Sequence, residues 1–232
     1  MHRTQRAASA AALGAALALC ATACTVITVK PAADPLASLS SGQIAARSYA
    51  DLIASSSVRM NGSRTSTTPG SFSLELVKSE GCSGTISITG VGTFQILVIR
   101  SKVWIKPDAA YWDQQKISTA VLHIVSGKFL QGSPSSTGLG VMSNLCALQA
   151  IANDSSAAQR THATFAGQKA LVFHGPDGAT VTVSDSAVPE VLQVTHFGSG
   201  EGTVDFSDFN APVTLTPPPA DETITNGAYY GM

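Results

Sequence analysis

A chain of 232 residues with 14 basic and 15 acidic side chains is close to neutral, which argues against a nucleic-acid partner, whose phosphates demand clustered Lys and Arg. Only 12% of its residues are charged and 44% are hydrophobic, enough for a sizeable core in one domain that buries about 70% of its unfolded surface. No further run of about 20 apolar residues follows the N-terminal leader, so no second candidate for a membrane-spanning helix exists.

The leader, residues 1–23, sets Arg3 and Arg6 ahead of an uncharged Ala/Leu-rich run that ends at small residues, the pattern of a secretory signal peptide. Ala21-Thr22-Ala23-Cys24 resembles the lipobox of bacterial lipoproteins. The resemblance implies that Cys24 becomes the new N-terminus and carries diacylglycerol and a further acyl chain such as palmitate, a stable anchor at the outer face of the cell membrane. Ala21 stands where Leu is usual, and a cut by an ordinary signal peptidase is the alternative.

Residues 24–39 hold two prolines and no usable periodicity, and read as a flexible tether behind the lipidated cysteine. Ser40-Ser41-Gly42-Gln43 fits a capping box, and Ala45, Tyr49, Leu52 and Ile53 follow at helical spacing, predicting an amphipathic helix to about Ser55. Strands are predicted at Val58 to Arg64, Ser71 to Lys78, Gly84 to Ile88, Thr93 to Arg100 and Lys102 to Lys106. Phe72, Leu74 and Leu76 alternate with polar residues, so one face is buried. Phe94, Ile96 and Val98 point one way while Leu97 and Ile99 point the other, which predicts a strand covered on both faces. Pro69-Gly70, Gly81 to Gly84 and Gly90 to Gly92 read as hairpin punctuation.

The middle is less regular. Ile117, Val121, Ile124 and Val125 have helical spacing, as do Val141, Leu145, Leu148 and Ala152 beyond a "GSPSSTG" break. Strands resume at Arg160 to Phe165, Lys169 to His174, Thr180 to Ser184, Glu190 to Phe197 and Gly202 to Phe209. Residues 40–218 then form one domain, with 219–232 a mobile C-terminal tail after a proline-stiffened exit. The fold class is α+β: a single large curved antiparallel sheet, a half-barrel of about ten strands, with helices over its concave face.

Catalytic candidates are few. His123, His162, His174 and His196 show no i,i+4 pair, and neither HExxH nor CxxC occurs, so no metal site is expected. No serine lies in GxSxG, which disfavours acyl chemistry. Asp108, Asp113, Asp205 and Asp208 read as turn or surface carboxylates. "GVG" at 90–92 and "GSGEG" at 198–202 lack the strand-then-helix context of a phosphate loop. No cofactor motif and no enzyme activity are expected.

The order "SSSVRMNGS", "GCSGTISITGVGTFQILVIRSKVWIKPDAAYW" and "AGQKALVFHGPDGATVTVSDSAVPEVLQVTHFGSGEGTVDFSDFNAPVTLTPP" resembles actinobacterial envelope lipoproteins of the LppX/LprG lipid-carrier type and, more distantly, LolA-like carriers. The resemblance spans roughly Ser40 to Pro218. It implies a half-barrel whose concave side, closed by helices, holds the acyl chains of a lipid or glycolipid at the extracytoplasmic face of the cell membrane. Phe94, Ile96, Val98, Trp104 and Trp112 are the candidate lining residues of such a cavity. An ordinary core gives the same pattern of residues, so an envelope adaptor with a filled core and a protein or glycan partner stays open as the second reading.

With Cys20 in the leader and Cys24 at the anchor, Cys82 and Cys146 remain as an even pair in an oxidising compartment, which predicts a disulfide. Closing a loop of about 64 residues stabilises by about 4 kcal/mol in the chain-entropy model. The bond would tie the sheet to the helix predicted over it.

Overall fold

The computed structural model describes residues 36–65, 69–135, 146, 159–175, 178–196 and 202–225. Cys24 and the helix expected around 141–152, Cys146 excepted, lie outside them.

Helix α1, Ser41–Ala54, starts where predicted. Gln43 N donates to Ser40 Oγ at 3.2 Å and Ser40 N to Gln43 Oε1 at 2.9 Å, the reciprocal bonds of a capping box. Ile44, Ala45, Ser48, Tyr49 and Leu52 form its buried stripe, whereas Ile53, expected on it, is exposed. Five strands follow: β1 (Ser57–Arg64), β2 (Gly70–Val77), β3 (Gly81–Ile88), β4 (Gly92–Ile99) and β5 (Lys102–Pro107). Next come α2 (Ala109–Gln115), α3 (Thr119–Val125) and β6 (Phe129–Gly132). The second half supplies β7 (Gln159–Phe165), β8 (Gln168–His174), β9 (Thr180–Ser184), β10 (Val191–Thr195) and β11 (Gly202–Ser207), then a 3-10 turn at Ala220–Glu222 and β12 (Thr223–Thr225).

The twelve described strands belong to one curved sheet in the order β12-β6-β5-β4-β3-β2-β1-β11-β10-β9-β8-β7. Two antiparallel meanders, β1 to β6 and β7 to β11, meet where β1 pairs with β11. Short connections favour the antiparallel pairing from β1 to β5, whereas β6 returns beside β5 only after α2 and α3. Only β12 departs from it, running parallel to β6 with Ile224 opposite Leu130. A parallel neighbour requires a long connection, and residues 208–222 provide it.

The register lines up side chains across the sheet. Leu130, Ile105, Ile96, Gly84, Leu74, Met60 and Phe206 form one row on the inner face, and Phe94, Ile86, Phe72, Gly62, Val204 and Val194 the next. With Tyr49, Leu52, Tyr111, Trp112 and Val125 from α1, α2 and α3 they make the main core. A smaller cluster of Leu36, Ile44, Leu171, Phe173 and Val183 lies under the start of α1. Leu36, expected in a tether, is fully buried there.

Two expectations are corrected. Gly81 to Gly84 is not a hairpin turn but the opening of β3, paired on both sides; the turn lies before it, where Ser79 has φ 62°. Gly84 adopts φ +154°, and a Cβ there would lie 2.0 Å from Ser73 O, so glycine lets β3 approach β2. The expected tail, in turn, is structured as far as Thr225. After β11 ends at Ser207 the chain turns through Asp208 and Asn210 and crosses the outer face of the sheet as an extended strap, 211–219, before β12 joins the far edge. Prolines along it remove backbone donors and favour that extended form.

Candidate ligand site on the inner face of the sheet

Alternation along β4 carries Phe94, Ile96 and Val98 to the inner face, 1%, 2% and 6% exposed, where α2 sets Trp112 against the same core. Asp108 builds that helix. Its Oδ1 accepts from Tyr111 N and its Oδ2 from Thr93 N, both at 2.9 Å, so one carboxylate caps α2 and fastens it to β4. Tyr111 then stacks edge-on between Phe94 and Trp112, ring centroids 5.1 and 5.0 Å away. Burial pushes the Tyr111 phenol above its ordinary value of 10.0, so it stays neutral.

Around this packed centre lies a looser border. Phe72, Ile88, Val91, Ile117, Val121 and Leu122 are only partly buried against the core, and Ile124 on α3 is 52% exposed. Within the centre, Trp112 Nε1 is buried with no hydrogen-bond partner among the described residues. Leaving such a donor unpaired costs about 1–3 kcal/mol. Partly buried apolar side chains and one buried orphan N–H set this region apart.

Trp104 does not join the other four candidates. It sits between Val103 and Ile105, which face inward, and therefore points to the outer face beside Leu97. Both are nonetheless buried, so β4 is covered on both faces as predicted. The even spacing of β5 fixes this assignment, and composition alone conceals it.

Cys82 lies on the inner face opposite Leu76 and Val98, fully buried. Its sulfur is joined to that of Cys146, with Cα atoms 5.6 Å apart.

The chemical candidates are dispersed. His162 Nδ1 is 3.8 Å from Asp185 Oδ2, His174 contacts Thr161 Oγ1 at 3.4 Å, and His196 occupies a turn at φ 56°. Asp205 accepts from Gln193 Nε2 at 2.7 Å and Asp208 pairs with Arg59 Nε at 2.8 Å, so neither is half of a carboxylate dyad. Among the described residues no three His, Cys, Asp or Glu side chains converge as a metal site. No described helix is long and apolar enough to cross a membrane.

Sequence reasoning missed α2 and β6. The signal for α2 was Asp108 after Pro107, a capping residue ahead of "AAYWDQQ". The four-residue β6 is too short to show a period.

No protein-family model matches the sequence, and no curated protein matches it. Solved structures do. LprF from Mycobacterium bovis superposes with a TM-score of 0.52 at 13% identity, covering 77% of this chain and 96% of that one. The lipoprotein LppX from Mycobacterium tuberculosis gives 0.46 at 13% identity, over 76% and 98%. The chain thus has the fold of LprF, the α+β half-barrel that its sequence resemblance implied.

Proposed function

We propose that the protein is a non-catalytic envelope lipoprotein, anchored through Cys24, that binds the acyl chains of a lipid or glycolipid between the inner face of the sheet and its helices. The observation that carries this reading is the partly buried apolar border of Phe72, Ile88, Val91, Ile117, Val121 and Leu122 around the core. Apolar surface of this kind, with few polar groups, is the ordinary lining of a small-molecule site. The LprF fold and the resemblance to lipid-carrier lipoproteins point the same way.

Binding would be reversible burial of acyl chains, stabilised by about 25 cal/mol per Å² removed from water before association costs. A carbonyl at the head of such a chain would give the buried Trp112 Nε1–H the hydrogen-bond partner that it lacks among the described residues. Mass spectrometry of protein extracted in mild detergent should show a stoichiometric co-purifying lipid. Protein that is reproducibly empty, and takes up no lipid from vesicles, overturns the proposal.

The near-complete burial of Phe94, Ile96, Val98 and Trp112 favours a second reading, an adaptor with a filled core that recognises a protein or glycan partner by its surface. Cross-linking in intact cells separates the two, because an adaptor gives a discrete protein adduct.

A further inference from the structure

The strap 211–219 forms, with β3 and β4, a groove of about 450 Å³ on the outer face, away from the inner-face site. That size lies in the range of about 300–1,000 Å³ usual for small-molecule sites. We propose that this groove binds a neutral oligosaccharide, at a site independent of the acyl-chain reading.

Three features of the lining specify that chemistry. Among the described residues the lining itself holds no ionisable side chain, Lys106 standing outside it against Phe129, so a charged ligand would find no counter-charge within the lining. Ser83, Thr85 and Gln95 on the floor and Thr214 and Thr216 on the strap present hydroxyl and amide groups, none of which makes a side-chain hydrogen bond among the described residues. Phe129 adds a half-buried aromatic wall, with Lys106 Nζ 5.2 Å from its ring centroid. Hydroxyls and amides beside an aromatic ring match a pyranose, whose edge carries hydroxyls and whose face carries C–H groups.

A peptide fits less well. Strands β3 and β4 are paired on both sides, so the floor has no free backbone edge for strand addition and offers only side chains. Consecutive prolines at 217–219 stiffen the strap, which holds the opposite wall in place before a ligand arrives.

Amide NMR spectra of the full chain, titrated with maltotriose and with mannotriose, test the proposal, with trigalacturonate as a charged control. Saturable shifts at Ser83, Thr85, Gln95 and Thr216 at millimolar or lower concentration are expected for at least one neutral trisaccharide. The double variant Thr85→Val, Gln95→Leu, at two exposed positions, should retain the spectrum of the folded protein and weaken binding by about tenfold. Trp112→Phe should leave this affinity unchanged, so failure of the acyl-chain reading does not touch the result. Absence of shifts, tighter binding of trigalacturonate or of a proline-rich peptide, or full affinity in a folded double variant overturns it.

Discussion

Phe72 covers Gly62: across the β1–β2 pair, a Cβ on Gly62 would lie 2.2 Å from Cζ of the ring. Both residues belong to the inner face, where the aromatic ring fills the space that a glycine leaves in a strand. Gly62→Ala should therefore destabilise by about 1–3 kcal/mol through overpacking. In a Phe72→Leu background the same change should cost less, and a double-mutant cycle by urea denaturation measures the difference. Equal costs in both backgrounds would refute the contact.

The disulfide joins an inner-face strand residue to position 146, closing a loop of 64 residues. Replacing both Cys82 and Cys146 by Ala should lower stability by about 4 kcal/mol, most of it from the freed unfolded chain. Thermal unfolding with and without reductant checks this: reductant should lower the melting temperature of the parent and leave the double variant unmoved.

Glu190 shares a cavity of about 210 Å³ with Asp51 at the end of α1. Burial first, and the Asp51 carboxylate second, raise its pKa above the ordinary 4.5. The folded state then binds the proton more tightly than the unfolded state, so stability is greater below pH 4.5 and is lost as pH rises through the raised pKa. Glu190→Gln, which keeps the shape without the charge, should raise the melting temperature at neutral pH. Its advantage should vanish as the pH falls below 4.5, and melting curves across that range provide the measurement.

The two tryptophans face opposite sides of the sheet, which gives a paired test of where a ligand sits. Trp112→Phe removes the orphan indole N–H and should reduce co-purifying lipid or shift it toward chains lacking a carbonyl head. Trp104→Phe, on the outer face, should leave lipid content unchanged. Equal losses in two folded variants would place the effect outside the inner face.

Capping of α1 offers a cleaner energetic check. Ser40→Ala breaks the bond to Gln43 N and should cost about 1 kcal/mol. Ser40→Asp should recover most of it, read as the urea midpoint at constant slope.

Much of this architecture was legible because its signals are local. Ten strands lie within a few residues of where alternation and turn residues place them, and Ser40 with Gln43 marks the start of α1. Period-2 patterns and caps depend on neighbours in the chain, and neighbours are what a sequence displays. The paired cysteines also followed from parity and compartment.

Three-dimensional contact decided the rest. Short elements such as β6 and β12 form because an existing sheet edge offers partners to residues with little preference of their own. Trp104 and Trp112 separate because strand alternation sends one outward while a helix capped by Asp108 turns the other in. The strap crosses the outer face because β12 must reach β6 from β11 at the other side of five strands, a distance no local pattern encodes. The sequence determined which residues seek burial; the order of strands determined the face on which each is buried and what lies across from it.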